Sequence, residues 1–476
     1  MPLTDVIIGV QDGGLGVAPP AADGIHAKVG VCSAGTVGQI VAVSNATKAR
    51  EAFGTGPLVN AILDAYTAAG GTGLIYAVRA GGDIDGVVGA VTAAKTGQGN
   101  MTAAGTPLDA YDVLVEIVDA GRLNVATFKY SLDGGRNWSG KITVPSAGAY
   151  TISGTGMIVT FAEYATDPDE SFLVGDQYSF KTTAPQASAE KVVAAIDALL
   201  GFAYSYEYIH VTGDSDAAMW AALNVKALEA ESKFRYLHIL TEARGPAAET
   251  VDAWVNALVT AKASFASTRV AISAGRLRVL DAATGRQADR NGAGIYSGRL
   301  SSIRVRTSPA KVETGPLPGV LGLLPEGLDD GHIETLDTQG FITFRQYIGL
   351  RGYFVNEGRM SAELTSDYTV VERRRPMDKA CHLVRLAFLQ AKHAEIDPVP
   401  EKLELELRTL ENSAEAALGP MIADGDISRA TVVIPRDQDI LATSKLKVQI
   451  RIVPMGTIRE FEVNIGYENP FRGGAE

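Results

Sequence analysis

Apolar positions recur along this chain with two periods, and the period in force changes twice. In residues 57–71 Leu58, Ile62, Ala65 and Ala69 recur every three to four positions, which predicts a helix with one buried face. Pro57 suits its first turn and Gly70-Gly71 ends it. Asn45 is placed to cap a shorter helix before it, closing at Gly54. Ala189, Val192, Val193, Ile196, Leu199 and Leu200 mark a further helix. Another carries Met219, Trp220, Leu223 and Leu228, with Asp214 expected as its N-cap, and one more carries Val251, Trp254, Val255, Leu258 and Val259. Between these lie short, mostly apolar runs, "AKVGVCSA", "GQIVAVSN", "GLIYAVRA", "YEYIHVTG", "RYLHILTE" and "TRVAISA". Each reads as a strand. Strand and helix alternating at this spacing predict a layered α/β core around a mainly parallel sheet.

From about residue 109 to 185 the helical period disappears. Short alternating runs such as "YDVLVEIVD", "GMIVTFAE" and "DQYSFKTTAP" are separated by Asp- and Gly-rich turns, the pattern of an antiparallel β module inserted into the α/β core. Within it, Ser131-Leu-Asp133-Gly-Gly135-Arg-Asn-Trp138 fits S-x-D-x-G-x-x-W and resembles the Asp-box hairpin of sialidase propellers. Asp133 is suited to accept hydrogen bonds from turn N–H groups, with Trp138 packing over the loop. One copy, with no fixed-period repeat elsewhere, makes a turn rather than a propeller active site.

The last third runs through a Gly/Pro-rich segment into a strand pair in residues 340–361, a helix beginning near residue 374, and after Pro398 and Pro400 a second helix with Leu403, Leu407, Leu410 and Leu418. The chain closes on alternation. Leu446, Val448, Ile450 and Ile452 share one side of a strand, with Lys447, Gln449 and Arg451 on the other; Pro454-Met455-Gly456 is expected to turn it, and Phe461, Val463 and Ile465 pattern the return strand. Residues 4–10, with Thr4, Val6, Ile8 and Val10 on one side, form a similar strand at the other end. The expected organisation is an α/β (α+β overall) chain: arm and linker 1–24, core 25–108, β module 109–185, core continued 186–335, and a C-terminal domain 336–476 ending in a hairpin or arm.

Charge and composition then remove several functions. Lys plus Arg number 43 against 55 Asp plus Glu, a net charge of −12, the opposite of what general nucleic-acid binding requires. The two cysteines, Cys32 and Cys381, make no disulfide framework and read as small buried thiols. No leading basic-apolar segment or membrane-length apolar run is visible, so synthesis in a cytoplasm without membrane insertion is expected. Glycine-rich stretches lack the G-K-[ST] ending of a phosphate loop. The six histidines show no paired metal spacing; His210 and His238, inside apolar strands, read as core imidazoles. No G-x-S-x-G elbow is present. The reading is of a protein with no enzyme activity, no cofactor and no metal.

Four segments together resemble the sheath proteins of contractile phage tails and related injection particles: residues 50–80 with "YAVR", residues 294–320, residues 340–390 with "ERRRP", and the closing hairpin. The resemblance implies a structural subunit that polymerises with itself as a helical lattice, with stacked hexameric rings in the family's pattern, around a tail tube protein. It also implies baseplate and tail terminator partners, no nucleic acid, assembly in the host bacterial cytoplasm, and contraction by rigid-body rearrangement for genome delivery. Strand-like ends are exposed edges unless another chain covers them, so Thr4, Val6, Ile8, Val10, Leu446, Val448, Ile450, Ile452, Phe461, Val463 and Ile465 are candidates for pairing between subunits. Arg373, Arg374, Arg375, Glu401, Glu404 and Glu406 are the candidates for contact with the tube. The alternative is a tail-associated protein that binds or hydrolyses glycans through the β module.

Overall fold

The structure, a computed structural model, describes residues 23–71, 73–281 and 284–467; Thr4, Val6, Ile8 and Val10 lie outside them. A seven-stranded sheet organises the core in the order Phe341–Ile342, Val270–Ser273, His238–Ala243, Tyr208–Ser215, His26–Gly30, Ile75–Arg79, Ile40–Val43. All neighbours pair in parallel except the last two. Side chains alternate between its faces. Ala27, Val29, Ile209, Val211 and Ile239 face the helices Ala189–Leu200, Ala217–Ser232 and Val251–Lys262, where Trp220 and Trp254 are fully buried. On the other face Tyr208, Leu240 and Ala271 join the layer of the helix Ala293–Ser302.

Local signals in the sequence act as expected in several places. Asn45 accepts from Lys48 N, Gly54 closes that helix at φ 68°, and Pro57 opens Pro57–Ala68. Asp214 is not the cap of its helix. The strand Tyr208–Ser215 runs through it, and Asp216 accepts from Met219 N instead. Gly298 has a packing role: a Cβ there would lie 2.1 Å from Ala65 O, so its hydrogen lets the helices Pro57–Ala68 and Ala293–Ser302 touch.

The β module consists of a five-stranded and a three-stranded antiparallel sheet sharing a core that includes Phe128, Phe161, Phe172 and Tyr178. It begins earlier than the expected boundary at 109. Thr92–Ala94 pairs with Gln177–Lys181, and Asn100–Gly105 pairs with Met157–Ala162. A smaller three-stranded sheet, Gln287–Asn291, Arg276–Leu280 and Val320–Leu324, lies beside the core.

The C-terminal unit contains the helices Val371–Gln390 and Pro400–Ala423 and a two-stranded antiparallel sheet, Ile427–Val433 with Gln449–Pro454. Ala380, Leu383, Leu418, Met421 and Ile427 form its small core, with Ile450 and Ile452 packed against it. The expected closing hairpin is not formed. Gln449–Pro454 pairs with the strand before it in sequence, and residues 455–467 have no strand partner.

Candidate assembly site

The long helix Val371–Gln390 carries the basic run expected to face outward, but successive residues on a helix point about 100° apart, and the run divides. Arg373 is exposed, whereas Arg374 and Arg375 are buried. That corrects their expected role as surface contacts. Arg375 donates from Nη2 to Glu207 Oε2 at 3.0 Å and to Leu300 O at 3.0 Å, with Nε also on Glu207. Arg374 Nε reaches both oxygens of Asp378 at 3.0 Å; Asp378 also accepts from Arg269 Nη1 at 3.2 Å, and Arg269 Nε donates to Glu231 at 2.9 Å. Lys379 bridges Asp426 at 2.7 Å and Asp23 at 2.5 Å. Buried charges this well paired are costly to break singly. They clamp the C-terminal unit to the ends of the core strands.

The sheet of that unit has two unlike edges. On Ile427–Val433 the outward N–H of Val432 donates to Glu415 Oε1 at 3.3 Å, and beyond it Ile434 N donates to Glu411 Oε1 at 2.6 Å. Both carboxylates come from the helix Pro400–Ala423, one turn apart. Hydrogen bonding to Arg436 holds the Glu411 carboxyl below its ordinary value. The outer edge of Gln449–Pro454 pairs with no strand among the described residues.

Beyond that strand the chain leaves the fold. Arg459 is held by Glu372 Oε1 at 2.6 Å and Glu357 Oε1 at 3.3 Å. Glu372 is itself buried, and desolvation raises its carboxyl. Past this anchor Phe461, Val463, Ile465 and Tyr467 are 78, 69, 92 and 109 % exposed. Four large apolar side chains at alternate positions stand exposed, with no neighbour among the described residues to bury them.

Of the remaining candidates, Ile450 and Ile452 are half-buried on the inner face of their strand, while Leu446 and Val448 are half-buried just before it begins. Glu401 is exposed in the first turn of its helix. Glu404 accepts from Arg436 Nε at 2.7 Å and Arg408 Nε at 2.6 Å, which hold its carboxyl down to about 2. Glu406 is half-buried and accepts from Asp397 N at 2.9 Å. The Arg459 anchor and the Glu411–Glu415 edge cover were not anticipated. The two glutamates four apart, preceding a strand, are the signal that was there to be read.

Two places resemble chemistry. Across the central sheet Lys28 Nζ lies 2.8 Å from His210 Nδ1, His210 Nε2 lies 2.9 Å from Glu242 Oε1, and Lys28 also donates to Ser297 at 2.7 Å. Burial pushes Lys28 down, Glu242 up and His210 well below its usual value. The three side chains form one continuous buried line of polar contacts across the sheet. This chain underlies a crevice at the carboxyl ends of the strands, where a doubly wound sheet ordinarily holds a ligand. The charges there are already matched: Asp64 with Arg290, Asp109 with Arg286, Asp214 with Arg276 and Asp289 with Arg278. No cluster of three metal-ligating side chains occurs among the described residues.

The Asp-box-like turn is likewise occupied. Asp133 is 2 % exposed; its Oδ1 accepts from Ser131 Oγ, Arg136 N and Asn137 N, and its Oδ2 from Asn137 Nδ2 and Gln287 N. Asn137 also donates to Gly285 O at 3.1 Å. Trp138 is half-buried beneath Lys129, 4.4 Å from its ring centroid. The turn fastens the β module to the small sheet beside the core, and both carboxylate oxygens are spent within the protein.

Residues 3–359 match the DUF2586 N-terminal domain and residues 367–472 the DUF2586 C-terminal domain. A protein of Haemophilus phage HP1, "Putative tail sheath protein", is 35% identical over 105 residues, which is 20% of this chain and 28% of that relative's length. The anti-feeding prophage helical sheath in its contracted state is similar with a TM-score of 0.52 at 12% identity, covering 98% of this chain and all of that one. The sheath tail protein of Desulfitobacterium hafniense is similar with a TM-score of 0.50 at 12% identity, covering 95% of this chain and all of that one. The chain is therefore a member of the DUF2586 family, built on the fold of contractile sheath proteins.

Proposed function

We propose that this protein is the structural subunit of a contractile tail sheath, without enzyme activity. Subunits polymerise as a helical lattice of stacked rings around a tail tube, bounded by baseplate and terminator proteins. The lattice contracts by rigid-body movement to drive the tube through a host envelope during genome delivery. The observation that carries this reading is the pairing of features in the C-terminal unit: among the described residues, a closing segment with an exposed apolar row and no partner, and a two-stranded sheet with an open edge. An arm that adds to a neighbour's sheet gains backbone hydrogen bonds and side-chain register together. If the operation relating donor to acceptor does not close, it generates a helix of subunits. The anchor at Arg459 fixes where the arm departs, so subunits can rotate about the tether without losing the strand pairing. Contraction then needs no nucleotide: energy stored in the extended lattice is released as subunits repack.

Contact with the tube is assigned to Arg373, Glu401, Glu404 and Glu406, the members of the charged set left at least partly accessible. A glycan-binding role for the β module finds no support in its Asp-box turn, whose acid is buried and fully used. Negative-stain electron microscopy of the purified protein tests the proposal. Long tubes or stacked rings are expected, and a small closed oligomer that never extends would overturn it.

A further inference from the structure

The helix Ala217–Ser232 closes on a residue that its geometry disfavours. Phe234 N donates to Glu231 O at 2.9 Å and Arg235 N to Ala230 O at 2.8 Å, with Phe234 at φ 62°. Glycine ordinarily takes that left-handed position at a helix end, because a Cβ there crowds the following carbonyl. Burial does not compensate, since Phe234 is 56 % exposed. Strain kept at an exposed aromatic residue points to a use for its ring. The ring carries the Arg385 guanidinium, 4.7 Å from its centroid, which comes from the helix Val371–Gln390. Both residues line a cleft of about 230 Å³ between the core and the C-terminal unit.

The charges around this cleft do not cancel. Its acids are engaged: Glu207 by Arg375, Asp378 by Arg374 and Arg269, and Asp23 by Lys379. Lys233 is paired with Glu229. Two arginines are left over. Arg235 lies 5.5 Å from the Tyr206 ring centroid and gives Nε to Leu200 O at 3.1 Å and Nη1 to Tyr204 O at 3.2 Å, so no carboxylate among the described residues answers its charge. Arg385 makes no hydrogen bond or ion pair among the described residues. An arginine stacked on a ring spends the face of its guanidinium and keeps the in-plane N–H fork, the part that grips oxyanions. We propose that the cleft is an oxyanion site, taking a carboxylate or phosphate group on the free N–H groups of Arg235 and Arg385, with Phe234 setting the plane of the Arg385 fork. The chain as a whole carries a net charge of −12, so the group is held by these local donors and not by the overall field.

Isothermal titration calorimetry of the full chain at low salt, with inorganic phosphate, pyrophosphate and malonate as probes, tests the site, and circular dichroism follows the fold of each variant. At least one probe should bind saturably. R235Q/R385Q should weaken that binding by about tenfold or more, the loss expected for charged hydrogen bonds. R235K/R385K keeps the charges without the forks and should fall between. Added salt should weaken binding. F234G frees the left-handed position of its side chain, so it should melt no lower than the wild type while binding more weakly. Absence of saturable binding by all three probes, or equal binding by a folded R235Q/R385Q, would overturn the site. A lower melting temperature in F234G makes the ring a brace of the fold and overturns its assigned role. Should R235Q/R385Q lose its fold, R385Q alone carries the comparison, and unchanged binding there overturns the site. Sedimentation of the same samples identifies the source of the oxyanion. Loss of polymer both in R235Q/R385Q and in wild type saturated with pyrophosphate assigns it to an acidic side chain of a second copy, and unchanged polymer in both assigns it to a free anion.

Discussion

Arg375 offers the sharpest test of how the C-terminal unit is held. Its side chain is fully buried, and it supplies Glu207 with two donors and Leu300 O with one. Arg375→Met keeps the length and apolar character of the stem but removes all three donors. What is left is worse than a lost bond: the Glu207 carboxylate, with a side chain only 9 % exposed, keeps its bond from Gly24 N but loses its counter-charge. Breaking one partner out of a buried ion pair costs about 3–5 kcal/mol. At about 1.4 kcal/mol per factor of ten, amide exchange along Val371–Gln390 should accelerate by roughly a hundred-fold to a few thousand-fold, if that helix opens by undocking. Hydrogen–deuterium exchange with mass spectrometry reads this element directly. The paired variant R375M/E207Q should recover most of the protection, since a neutral amide no longer demands a cation. Loss of protection by less than about fivefold in R375M, or no recovery in the pair, would refute the view of Arg375 as an internal brace. Salt-sensitive loss of tube binding with unchanged exchange would return it to the surface role that its sequence context suggested.

Two further predictions concern the core and the module. Lys28→Met should destabilise the folded chain by about 1–3 kcal/mol because it takes the buried partner from His210 Nδ1 and Ser297 Oγ; in urea unfolding the K28M/E242Q pair, joined through His210, should be less damaged than the sum of the single changes. Asp133→Ala removes five accepted hydrogen bonds, including the one from Gln287 N. It should free the Asp-box turn from the small sheet, seen as faster proteolysis within residues 281–287 while the core tryptophans keep their fluorescence.

The α/β rhythm was legible because its elements are locally overdetermined. In Pro57–Ala68 the apolar period, the proline at the first turn and the glycines beyond it agree. The start of the β module was not legible. Thr92–Ala94 and Asn100–Gly105 are built from small residues with little strand character, and only pairing with distant strands makes them strands. Asp214 was a fair N-cap by composition, but parallel pairing with the strand His238–Ala243 extends its own strand two residues further. The run at 373–375 reads as one basic patch in linear sequence, yet the helix turns two of its three arginines inward: Arg374 to Asp378 one turn on, an i,i+4 pair that the sequence does carry, and Arg375 to Glu207 from a distant part of the chain, a pairing no local pattern encodes. At the C-terminus the alternation predicts a return strand, and the structure forms none over residues 455–467. A row of Phe461, Val463 and Ile465 is the same for a hairpin as for a segment left unpaired within its own chain, and Arg459, which precedes the row, is held by a long-range ion pair that no local pattern encodes.

The central claim is that copies of this chain join through the C-terminal arm. Sedimentation velocity of the full chain beside a chain ending at Met455, at matched concentration, tests it most directly. The account predicts that the full chain sediments as large polymers and the shortened chain as a folded monomer of just under the 50.1 kDa of the whole. Polymers of equal size and abundance from both would contradict it.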